Sequence, residues 1–134
     1  MNADDMKKIK LAFALRVNRL AESLPNTPTA RVIRNQMVRC GTSVGANYRA
    51  ACRAKSRPDF IAKLGIVEEE ADESNYWIEL LIDAGIVKRE RVADLLQESN
   101  EIVSIVVSSI KTGRTGSMKP VSNSAIRIPQ SEIV

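Results

Sequence analysis

Seven basic side chains, Arg31, Arg34, Arg39, Arg49, Arg53, Lys55 and Arg57, surround the small-residue run RCGTSVGANYRAA. Two chemistries use such a pattern. Guanidinium forks match phosphate oxygens in pairs, so arginines sharing one helix face can follow a nucleic-acid backbone. A glycine-rich loop can instead cradle a nucleotide, but that needs G-x-x-x-x-G-K-[ST] after a strand. Here Gly41-Thr42-Ser43-Val44-Gly45 runs into Ala46-Asn47, with no Lys-Ser/Thr and no strand signal before it. The phosphate-loop reading fails and the arginine strip remains.

The acidic run VEEEADES, residues 67–74, invites a metal reading. Carboxylate-bridged metal bundles pair Glu with Glu-x-x-His motifs on facing helices. Glu70-x-x-Glu73 is present, but the chain contains no histidine and no matching carboxylates on a facing helix. The absence of histidine also removes the usual general base and the Ser-His and Cys-His dyads. No metal, no cofactor and no enzymatic activity are expected.

Charge location says more than net charge, which is +4 with a pI near 9.3. Residues 25–63 carry eight basic side chains against Asp59 alone, a local +7. Residues 64–83 carry seven acidic side chains and no basic one, a local −7. A basic block followed by an acidic block suits either an acidic partner or mutual pairing of the two blocks.

The elements that must hold these residues are helices. Ile9, Phe13, Val17, Leu20 and Leu24 recur at spacings of four and three and predict a first helix over 5–24. Thr27 as N-cap and Pro28 as first helical residue open a second, over 28–55, with Ile33, Met37, Cys40, Val44, Asn47 and Ala51 inward. Ser56 and Asp59 form a capping box for a third, over 57–83. Its seam of Phe60, Leu64, Val67, Ala71, Ser74, Ile78 and Leu81 alternates four and three without a slip. Gly85 should cap its end. A fourth helix over 88–111 presents Val92, Leu95, Leu96, Ser99, Ile102, Val103, Val106 and Ile110 and should stop at Gly113. The expected fold is all-α: an antiparallel up-down-up-down four-helix bundle over 1–111, with a flexible tail over 112–134.

Within the second helix, two interior glycines cost about 1 kcal/mol each relative to alanine, so a close backbone approach must offset them. Gly41 and Gly45, flanked by Ser43, Asn47, Ala50 and Ala54, predict a tight helix–helix contact, within the bundle or between subunits. With Arg31 taken as zero, Arg49 falls at about 0°, Arg53 at about 40°, Arg39 at about 80° and Arg34 at about −60°. The apolar stripe lies at about 200° in the same frame, so five arginines share the solvent face. Tyr48 and Trp77 are the aromatics that could stack on bases, with packing favoured for Tyr48.

The mixed-charge start MNADDMKKIK does not fit an export signal, and no apolar run is long enough to span a membrane. A cytoplasmic setting with reduced thiols is expected. Cys40 and Cys52 are twelve residues apart, about 18 Å along one helix, too far for a disulfide.

Two stretches carry a family resemblance. RCGTSVGANYRAA and FIAKLGIVEEEADESNYWI, within a match spanning about residues 9–85, resemble the bacterial four-helix bundle family of 23S rRNA intervening-sequence proteins. The resemblance implies an antiparallel bundle that forms a ring-like homo-oligomer, a pentamer. That family is similar to accessory proteins of diversity-generating retroelements, basic pentameric barrels that bind nucleic acid and reverse transcriptase. Structured RNA or DNA is therefore one expected partner, and another protein is the alternative. No catalytic residues are implied, and residues 112–134 lie outside the match.

Overall fold

The computed structural model describes residues 2–115, which form four α-helices: α1 Ala3–Glu22, α2 Pro28–Cys52, α3 Arg57–Asp83 and α4 Arg89–Thr115. The antiparallel bundle expected from periodicity is the observed fold. Each of the first three helices begins at a side chain that accepts an otherwise orphan backbone N–H. Asn2 Oδ1 accepts from Asp5 at 2.9 Å, Thr27 Oγ1 from Ala30 at 3.2 Å, and Ser56 Oγ from Asp59 at 3.2 Å. The reciprocal bond expected at the third cap is displaced by one residue: the Asp59 carboxylate accepts from the backbone of Lys55, at 3.4 Å.

Two ends differ from expectation, each for a local reason. α2 stops at Cys52, with Arg53 as C-cap, because Ser56 must be extended (φ −154°, ψ 163°) to cap α3. α4 runs through Gly113, the residue expected to stop it. Gly113 is buried, and a Cβ there would lie 3.2 Å from Ile61 on α3. Its missing side chain admits a neighbouring helix and does not end its own. Residues 112–115, expected to begin the tail, thus belong to α4; the rest of the expected tail, 116–134, lies outside the described residues. Gly85 does cap α3, at φ 74°. Its N–H donates to Ile82 O and that of Ile86 to Leu81 O, the paired bonds of a Schellman turn.

The predicted α3 seam is buried at all seven positions. It meets Phe13, Val17 and Leu20 of α1, Ile33, Met37 and Val44 of α2, and Leu95, Ile102 and Val106 of α4 in one core. Enclosing a side chain such as Phe13, Leu64 or Ile78 stabilises the fold by about 1.5–3 kcal/mol each. Sequence neighbours pack most closely, while α1 and α4 touch least. Side-chain bridges span that looser seam, from Arg16 to Glu98 and from Arg91 to Ser23. Among the described residues no helix is long and apolar enough to cross a membrane.

Candidate functional site

An up-down-up-down bundle gathers the start of α1, the α2–α3 corner and the last turns of α4 at one end. Two contacts fix this grouping: Gly45 against Lys10, where an added Cβ would lie 3.6 Å away, and Gly113 against Ile61. Residues 3–10, 45–64 and 107–115 therefore share an end. Apart from the buried Lys10, they carry nine basic side chains (Lys7, Lys8, Arg49, Arg53, Lys55, Arg57, Lys63, Lys111, Arg114) against Asp4, Asp5 and Asp59, a surplus of six. The middle belt, residues 35–44, 65–78 and 95–106, holds Arg39 against seven carboxylates, a deficit of six. The far end, residues 16–34 and 79–94, is nearly balanced, with seven basic and five acidic side chains.

The seven sequence-predicted basic residues separate across these zones. Arg31 and Arg34 sit at the far end, where Arg31 donates to Asn26 Oδ1 at 3.2 Å and Arg34 is half-buried. Arg39 lies in the acidic belt and is held there. Its guanidinium bridges Glu70 at 3.2 Å and Glu73 at 2.7 Å, both on α3. Arg49, Arg53, Lys55 and Arg57 are all exposed at the basic end. Their side chains form no hydrogen bond or ion pair with any described residue. Among the described residues the one ion pair at this end is Lys63 with Asp59, 2.5 Å apart; with the nearby backbone and charge of Lys55 it holds the Asp59 carboxyl below its usual range.

The small-residue ridge works inside the bundle. Gly41 is buried against Val17 of α1, and Gly45 lies over the backbone of Lys10 on the same helix. Ser43, Asn47, Ala50 and Ala54 are half-buried beside it. Asn47, expected on the seam, bonds back to Ser43 O in its own helix at 2.9 Å, and Ser74 does the same to Glu70 O at 2.8 Å. Neither reaches another helix. Two uncharged polar links join α3 and α4: Ser99 Oγ donates to Ala71 O at 3.1 Å and the Asn75 amide to Asn100 Oδ1 at 2.9 Å.

Two clusters escaped the sequence reading. The first is on the α2–α3 face, where Cys40 Sγ and the Glu70 and Glu73 carboxylates lie within 4.8 Å of one another. A thiol with two carboxylates is a donor set for a borderline metal ion. Here the Arg39 guanidinium occupies their focus, 3.2 Å from Cys40 Sγ. Burial, with the adjoining Glu73 carboxylate, pushes the Cys40 thiol up to about 12. Glu73 itself is held below its usual range by hydrogen bonds from Cys40, Trp77 and Arg39. Glu73 starts outside the Phe60–Leu81 seam, yet Arg39 and the Trp77 indole hold its carboxylate over α2. Helical period alone carries no sign of this, because long side chains bend around the face they start from.

The second cluster is Lys10, fully enclosed because it takes the core position between Met6 and Phe13, while Ile9, expected there, is only half-buried. Its ammonium lies 4.2 Å from the Tyr48 ring centroid and finds no hydrogen-bond partner among the described residues. Burial lowers its pKa to about 7, opposed in part by the nearby Cys52. Tyr48 is thus a core residue, as its angle suggested. Trp77 is half-buried, edge-on to Tyr76 at 5.0 Å, and donates to Glu73 at 3.3 Å. Cys40 and Cys52 are not joined in a disulfide.

Comparison with known proteins places this geometry. Among proteins of curated function, none matches the chain. A crystal structure at 1.70 Å of a protein with unknown function from the S23 ribosomal protein family of Bacteroides thetaiotaomicron superposes with a TM-score of 0.76. It is 42% identical over 82% of this chain and 98% of that one. The model of the 23S rRNA-intervening sequence protein family matches residues 5–108, nearly the whole described bundle. With that extent of match, the chain belongs to the 23S rRNA-intervening sequence protein family.

Proposed function

We propose that this protein is a non-enzymatic, oligomeric nucleic-acid-binding or scaffold protein, and that structured RNA or DNA is held through its phosphates at the basic end of the bundle. One observation carries the reading. Arg49, Arg53, Lys55 and Arg57 converge there exposed and with no side-chain hydrogen bond or ion pair among the described residues, while Arg39, from the same helix, is neutralised by its own chain. Cations without internal partners are the ones available to displace counterions from a phosphate backbone. The family's resemblance to nucleic-acid-binding accessory proteins of diversity-generating retroelements, an expectation from the sequence, is in line with this reading. By the same resemblance we propose assembly into a pentameric ring, and from the mixed-charge start MNADDMKKIK a cytoplasmic setting.

A second reading is favoured by a different observation. Leu11 and Leu15, one turn apart on α1, are 53% and 48% exposed, and Val32 on α2 is 59% exposed. Apolar surface of this kind suits subunit contacts or a protein partner, with the charged blocks serving assembly and no nucleic acid bound. Size-exclusion chromatography with light scattering, at low and high salt, with and without an RNA hairpin, separates the two. The first reading expects an oligomer that survives high salt and shifts with the hairpin only at low salt. It also expects Arg49→Glu/Arg53→Glu to keep the oligomer and lose the shift. An oligomer that ignores the hairpin at every salt concentration removes the nucleic-acid reading and leaves assembly alone.

A further inference from the structure

Every aromatic residue of the chain can be placed. Phe13, Tyr48 and Phe60 are enclosed in the core, at 0%, 2% and 3% exposure. Tyr76 and Trp77 are the remaining two, and both lie on α3 in the acidic belt. Trp77 donates to Glu73, and Glu79 follows two residues on. The ring faces open to solvent are therefore surrounded by carboxylates, and the basic end has none. Surfaces that hold single strands interleave the two features, a cationic groove and rings on which successive bases stack, at about 1–3 kcal/mol per base. Here they are segregated, and a strand laid across Tyr76 and Trp77 would bring its phosphates against like charge.

The basic end has a different strength, which is breadth. Its cations stand on four rigid helix ends, with Arg49 and Arg53 one turn apart on α2, Lys55 and Arg57 at the corner, Lys7 and Lys8 on α1, and Lys111 and Arg114 on α4. Neighbouring axes in a bundle are about 8–10 Å apart, so these charges spread over roughly 20 Å. That breadth meets two phosphate rows across a groove, about 6 or 12 Å wide in B-form DNA. A single strand offers one row, and its ordering has no stacking here to offset it.

We infer that the basic end takes the paired backbone of a duplex in preference to single strands, without reading base sequence. This rests on the nucleic-acid reading above and narrows it to a class of ligand. Backbone contacts position a duplex and carry no sequence information.

The test titrates the intact chain into a fluorescently labelled blunt DNA duplex and, separately, into a polythymidine strand with the same number of phosphates. The duplex should bind about tenfold or more tightly at equal salt. Two duplexes of unrelated sequence should bind alike. With four phosphate contacts per subunit, log K for the duplex should fall with log salt at a slope of about −3 to −4. Trp77→Phe and Tyr76→Ala should leave duplex affinity unchanged. Equal or tighter binding of polythymidine, or strong sequence preference between duplexes, overturns this inference while leaving the nucleic-acid reading in place. Binding to neither probe at low salt overturns this inference, and overturns the nucleic-acid reading as well if the RNA hairpin also fails to bind.

Discussion

Gly41 and Val17 leave no room between α2 and α1: a Cβ on Gly41 would lie 2.9 Å from Val17 Cγ1 and 3.1 Å from its Cβ. Gly45, one turn on, differs, since a Cβ there would make ordinary contact with Lys10 at 3.6 Å. Gly41→Ala should therefore destabilise the bundle by about 1–2 kcal/mol, overpacking outweighing the gain in helix propensity. Gly45→Ala should stabilise it by up to about 1 kcal/mol. Urea unfolding of the two variants should give shifts of opposite sign, and equal signs would remove the close-approach account.

Lys10 predicts a pH dependence. Its folded-state pKa, lowered to about 7 from 10.5, means that the folded chain resists a proton the unfolded chain accepts. Stability from this group is therefore lost as pH falls from about 10.5 to about 7 and changes little below that. Lys10→Met fills the same space without a charge. It should raise stability at pH 7 by on the order of a few kcal/mol, with the gap closing toward pH 10. Parallel denaturation curves at the two pH values would show that Lys10 is not desolvated as described.

Arg39 and Arg53 should part company in binding. Arg53→Gln removes an unpaired cation and should lower the magnitude of the duplex salt slope by about one. Arg39→Gln should leave the slope unchanged and instead loosen the α2–α3 face. Fluorescence of Trp77, the chain's one tryptophan, reports that face directly, because Glu73 is a shared partner. If both variants change the slope alike, the whole α2 strip is in use.

The two thiols should react at different rates. Cys40 is buried beneath Arg39 with its pKa pushed up to about 12, whereas Cys52 is half-buried at the end of α2. Iodoacetamide at pH 8, followed by peptide mass spectrometry, should label Cys52 well before Cys40. Arg39→Ala should speed labelling of Cys40 by uncovering it. Prior labelling of Cys40 in the parent protein would contradict the enclosure.

Much of this fold is legible in spacing alone. The α3 seam, the Thr27 and Ser56 caps and the Gly85 turn follow from residues within one or two turns of each other, where helix geometry is fixed. Gly113 was not legible, because it is explained by Ile61 on another helix; Lys10 does fall on the four-three stripe between Met6 and Phe13, but a charged side chain masks that, and its partner Tyr48 is brought close only by folding. The candidate site divides in the same way. Helical angles placed Arg39, Arg49 and Arg53 on one exposed face, and all three are exposed. They could not distinguish Arg39, which a neighbouring helix neutralises, from Arg53, which none does. Nor could a reading along α2 anticipate that Lys7, Lys8, Lys111 and Arg114 join the corner, since they are distant in the chain and meet only through topology.

That same topology bears on how the protein can be handled. The described part of α4 reaches Thr115 beside the α2–α3 corner, so a charge introduced at that position joins the cationic surface. The turn at Pro25-Asn26, between α1 and α2, lies at the opposite end, nearly the full length of the bundle away. A label or surface anchor attached there would leave the cationic end facing solution.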